Sequence, residues 1–79
     1  MNREEIYNQV IQEYSEVQHF DCSEDNKMNI IDNIVDLIEN YGEDVYKVIN
    51  LNDYDWNHLL DYEYLEIQMT DWIRDYLTN

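Results

Sequence analysis

The stretch SEDNKMNIIDNIVDLIENYG, Ser23–Gly42, decides the fold. Met28, Ile31, Ile34, Val35 and Ile38 recur at helical spacing and carry the pattern as far as Asn40. Ser23 is a preferred N-cap residue, because its hydroxyl can accept from an N–H of the first turn. Gly42, the only glycine of the chain, stands where a helix C-cap favours a residue free to adopt positive φ. A capped helix with an apolar stripe needs other helices to cover it, and the flanking sequence supplies them.

Upstream, Ile6, Val10, Ile11, Tyr14 and Val17 form one helical face with Glu5, Gln12, Glu13 and Glu16 on its other sides, which predicts a helix from about Arg3 to His19. Phe20 to Asp25 is polar and turn-like. Downstream, Glu43 to Asn50, with Val45, Tyr46, Val48 and Ile49, fits a third, short helix. Asp53 is an N-cap type before Trp56, Leu59 and Leu60, and Leu65, Met69, Trp72, Ile73, Tyr76 and Leu77 make a final helical face. Between them Leu60, Tyr62 and Tyr64 alternate with Asp61 and Glu63, which is strand spacing. No second alternating run or hairpin turn signal exists to pair with it, so the segment reads as a helix, kinked or broken near Asp61. The expected fold is all-α: one domain spanning residues 1–79, built as a compact bundle of about four short helices.

Nineteen acidic residues against four basic ones in 79 give a formal net charge of -15. The acids are spread through the chain and interleave with 44% hydrophobic residues, including eight Tyr and two Trp. Disordered acidic tails instead use blocks of like charge with few aromatics, so this composition supports a packed core. The chain is rich in Asn, Ile and Tyr, with no Ala or Pro, a bias that normally also enriches Lys. Only Lys27 and Lys47 occur. Positive charge is excluded, and a chain this small, in which a single core leaves only a few kcal/mol of net stability, accepts the cost of self-repulsion.

The sequence carries no catalytic motif. Carboxylate pairs are uninformative among so many acids, and no Ser or Cys stands at a motif spacing from His19 or His58, which read as surface or helix-end residues. Cys22 cannot form an intramolecular disulfide; it reads as a free thiol at a helix junction, beside Asp21 and near Glu24 and Asp25, in a cytoplasmic protein. Met1 to Glu5 lacks the basic start and apolar run of a signal peptide. No stretch approaches the length of a membrane span. An anionic membrane and nucleic acid itself would both be repelled. The chain is therefore expected to be no enzyme, to need no cofactor, and to bind neither membrane nor nucleic acid directly.

One metal pattern is present. Asp21, Ser23, Asp25, Lys27, Asn29 and Asp32 fall on positions 1, 3, 5, 7, 9 and 12 of a calcium loop, and Met28 on the apolar eighth. This resembles an EF-hand, but Asn26 replaces the turn glycine and Asp32 the bidentate Glu. A second partial match, Asp53, Asp55 and Asn57, has His58 in place of the glycine and Tyr64 at the last ligand position.

The remaining signal is the field itself. Asp32 with Asp36, Glu39 with Glu43, and Asp71 with Asp75 stand at helical neighbour spacing, where like charges cost stability. Rows of carboxylates on a rigid helical body could occupy a Lys/Arg groove that normally receives the phosphates of a duplex, spaced one charge per ~1.7 Å of axis. Exposed Tyr would supplement them. The candidate partner-binding residues are Glu13, Glu16, Asp32, Asp36, Glu39, Glu43, Asp44, Asp61, Glu63, Glu66, Tyr62 and Tyr64.

In size, charge and Tyr/Asp/Glu-rich helices the whole chain resembles the small acidic DNA-mimic inhibitors of phages and mobile elements, the anti-restriction and anti-CRISPR proteins. The resemblance implies a protein acting in the host cytoplasm, whose partner is a basic nucleic-acid-binding protein: a host nuclease or its DNA-recognition subunit. An alternative from a different class is an immunity or antitoxin protein neutralising a basic toxin, similar to the small acidic four-helix immunity proteins of nuclease colicins. The Asp-x-Ile-Tyr-Tyr-Pro type of motif of that family is absent. The EF-hand-like calcium reading stands third.

Overall fold

In a computed structural model of the chain, residues 2–52 and 65–78 are described. They form four helices: α1, Arg3–Glu13; α2, Glu24–Tyr41; α3, Asp44–Asn52; and α4, Leu65–Thr78. A 3-10 helix, Ser15–His19, links α1 to the approach of α2. No strand occurs among the described residues, so the all-α bundle expected from the periodicity is the observed architecture. The helix expected near Trp56, and the alternation at 60–64, lie outside the described residues.

The central helix begins and ends where its caps require. The Ser23 hydroxyl accepts from Asn26 N at 3.2 Å, and Glu24 and Asp25 add negative charge to the positive pole of the first turn. At the other end Gly42 adopts φ 85°, ψ -169°, and its N–H donates to Ile38 O at 2.8 Å. That backbone region is essentially restricted to glycine. It turns the chain sharply into α3.

α2 packs against α1, the 3-10 helix, α3 and α4, so a single stripe is not enough to meet them all. Ile30, Ile31, Ile34, Val35, Leu37 and Ile38 are all buried. The stripe read from the sequence omits Ile30 and Leu37, and it includes Met28, which is 57% exposed in the second turn. Neighbours on several sides widen the buried arc of a central helix beyond the one face that periodicity detects. Around α2 gather Ile6 and Val10 of α1, Val45, Val48 and Ile49 of α3, and Leu65, Met69 and Ile73 of α4. On α4 the apolar face ends early: Trp72 is half-buried against the core, whereas Leu77, expected on that face, is 53% exposed.

The first helix is shorter than its periodicity suggests. The chain leaves the α-helical path at Tyr14, φ -119° and ψ 44°, and continues through Ser15–His19 with Val17 N donating to Tyr14 O and Phe20 N to Val17 O. Three residues per turn eclipse side chains at i and i+3. Tyr14 and Val17 are accordingly buried in the core, and Phe20 is half-buried against it. Tyr14 is buried and its ring stacks on Tyr46 of α3, with centroids 6.1 Å apart and planes at 14°. Tertiary packing overrides the local pattern here.

Candidate functional site

The acidic side chains divide by what the helices do with them. Glu4 and Glu5 occupy the first turn of α1, Glu24 and Asp25 that of α2, and Asp44 that of α3. There a carboxylate faces the positive end of the helix dipole and stabilises by ~0.3–1 kcal/mol. Asp36 and Glu39, one turn apart on α2, are bridged by a single Arg3 nitrogen from α1, at 2.8 Å from Asp36 Oδ1 and in contact with Glu39 Oε1. These contacts, the Asp36 hydrogen bond foremost, hold the guanidinium charged beyond its ordinary range. Glu13, Glu16 and Glu43 are exposed and carry no ion pair among the described residues.

Of the four cations Lys27 is the one drawn inward, whereas Arg3, Lys47 and Arg74 are exposed. Lys27 is mostly covered, its side chain 13% exposed, and it donates to Gln18 O at 2.9 Å and Glu24 Oε1 at 3.2 Å. The Lys47 ammonium lies 5.8 Å from the centre of the Tyr76 ring, within cation–π range. Arg3 is bound to two carboxylates, and Arg74 is exposed on α4 without an ion pair among the described residues, so exposed carboxylates far outnumber free cations on the described helices.

Of the candidates read from the sequence, Glu13, Glu16, Asp36, Glu39, Glu43 and Asp44 are exposed, and Asp32 is half-buried rather than free on a polar face. Glu66 lies on α4. Asp61, Tyr62, Glu63 and Tyr64 fall outside the described residues. Glu39 and Glu43 are not neighbours on one helix, as their spacing suggests, because Gly42 ends α2 between them. They instead flank a cavity of about 450 Å³ with Ile6, Ile38 and Gly42. Sequence reasoning missed this cavity and the Arg3 bridge. Both join residues more than 30 positions apart, and a one-dimensional period carries no such information.

The Tyr46 hydroxyl is buried without a hydrogen-bond partner among the described residues. Burial raises its pKa above the ordinary phenol value, and the nearby charges of Glu13 and Glu43 add to the shift. The Tyr14 hydroxyl donates to the Tyr46 main-chain carbonyl at 3.4 Å.

The EF-hand-like stretch Asp21 to Asp32 is helical over most of its length rather than a loop. Ser23 caps α2 and residues 24–32 are helical, so Asp25, Lys27, Asn29 and Asp32 radiate from a helix rather than converging from a loop. No group of three or more His, Cys, Asp or Glu side chains able to hold a metal ion occurs among the described residues. The second partial match lies in the undescribed segment. No helix among the described residues is long and apolar enough to cross a membrane.

No family model, no curated protein and no solved structure matches this chain.

Proposed function

We propose that this protein is an acidic DNA mimic that inhibits a host defence nuclease, a CRISPR effector or restriction enzyme, by occupying its positively charged DNA-binding cleft. The observation that carries the reading is the balance of exposed charge: three of the four cations, Arg3, Lys27 and Lys47, are engaged by carboxylates or an aromatic ring, while Glu13, Glu16 and Glu43 stand exposed and without an ion pair among the described residues. A fixed array of bare carboxylates suits a cleft lined with Lys and Arg, and a rigid body loses little conformational freedom on binding. The acid is thus used as a surface and not as a set of reacting groups.

The test is competition. A labelled duplex is bound to a guide-loaded CRISPR effector, and in parallel to a restriction enzyme, and the protein is titrated in at low and high salt. Displacement of the duplex from one of them, weakening steeply as salt rises, is the expected result. A complex that forms on DNA-bound nuclease without loss of DNA affinity, or no displacement from either enzyme, overturns the reading.

A further inference from the structure

We infer that the cavity at the C-terminal end of α2 is a receptor for an arginine side chain of the partner. Its floor is apolar, formed by Ile6 of α1 and Ile38 of α2, and its rim carries Glu39 and Glu43 on either side of Gly42. The end of an α-helix bears about half a negative charge on unsatisfied carbonyls, and α2, 18 residues long, has no basic residue in its last turn to offset it. Apolar floor, two carboxylates and a negative helix end select a ligand with an aliphatic stem and a cationic head.

Within the molecule, the same edge of α2 already binds a guanidinium. Arg3 bridges Asp36 and Glu39 through one nitrogen, leaving, among the described residues, Glu39 Oε2 without a hydrogen bond and Glu43 without an ion pair. An incoming arginine lies over Ile6 and Ile38 and directs its planar fork at those two carboxylates. Lysine, a point charge, cannot span them in the same way. The inference rests on the DNA-mimic reading for the source of the arginine, since DNA-binding clefts present this side chain, but its test needs no nuclease.

The intact 15N-labelled protein is titrated with N-acetyl-arginine-methylamide, with N-acetyl-lysine-methylamide and with sodium chloride at matched ionic strength, following amide resonances. Gly42, the only glycine, gives a single identifiable reporter. Saturable shifts concentrated at Ile6, Ile38, Glu39, Gly42 and Glu43 are expected from the arginine probe. Affinity for it should be at least threefold above that for the lysine probe, and at least threefold weaker in Glu43→Gln, while Asp71→Asn on α4 leaves it unchanged. Shifts spread over all acidic helices, an equal response to lysine or salt, or indifference to Glu43→Gln each overturn the inference. A protein that displaces DNA from a nuclease yet fails this titration keeps the DNA-mimic function and loses the arginine receptor; the opposite pair of results removes the function and leaves the receptor.

Discussion

Tyr46 shows how much one atom matters in a small core. Its ring stacks usefully on Tyr14, but its hydroxyl is buried without a hydrogen bond among the described residues, an arrangement that typically costs about 1–3 kcal/mol. Tyr46→Phe keeps the ring and removes the stranded group, so it should raise stability by about 1 kcal/mol, read from urea denaturation at neutral pH. The pH dependence has a definite sign. Because burial, with Glu13 and Glu43, raises the folded-state pKa, the native state keeps the proton longer than the unfolded chain. The associated stability is complete below the unfolded value of ~10 and is lost as pH rises from there through the folded value. The phenylalanine variant should lose that part of the alkaline decline. A variant no more stable than the parent, with an unchanged alkaline limb, would mean the hydroxyl is satisfied after all.

At the scale of elements, the punctuation around α2 separates two ways of ending a helix. Ser23 caps through its side chain, and Ser23→Ala should cost about 1 kcal/mol. Gly42 ends the helix through backbone conformation alone: a Cβ there would meet nothing within 4 Å, yet φ is 85°. Gly42→Ala should therefore cost about 1–3 kcal/mol from backbone strain without any clash, measurable as a lower denaturation midpoint with an unchanged slope. A neutral Gly42→Ala would show that the turn relaxes freely. These caps were legible in the sequence because each is chemistry of one residue beside a periodic run. The break at Tyr14 was not, since it depends on eclipsing Tyr14 with Val17 against α2 and α3. Nor was the width of the buried face of α2, where Ile30 and Leu37 join the core only because helices approach from more than one side. The candidate site divides in the same way. The surplus of acid and the candidacy of Glu13, Glu16 and Glu43 were legible in the sequence, whereas which carboxylates lack an ion pair among the described residues, the Arg3 bridge and the cleft between Glu39 and Glu43 emerge only after the helices have packed.

For the molecule as a whole, a net charge of -15 on a chain of this size means that carboxylates repel one another unless something local offsets them. Local roles differ enough to be told apart. Glu4 and Glu5 lie at the positive end of α1, so neutralising both as Glu4→Gln and Glu5→Gln should lower stability, by about 0.3–1 kcal/mol each. Glu13 and Asp75 lie at the opposite, negative ends of α1 and α4, whose last turns hold no basic residue, and neither is in an ion pair among the described residues. Glu13→Gln with Asp75→Asn should accordingly raise stability by a similar amount at low salt, which for a domain of this length is roughly 4–8 °C in Tm per kcal/mol. Added monovalent salt should raise the Tm of the parent by screening self-repulsion and should shrink the gain of the double variant. Parent melts that stay flat across salt, or a Glu13→Gln and Asp75→Asn variant that melts lower than the parent, would refute the premise that these charges oppose folding. If the gain appears, Glu13 is a carboxylate held at a cost to the fold with no ion pair among the described residues in return, which is what the proposed DNA-mimic function requires of a side chain whose counter-charge is supplied by a partner.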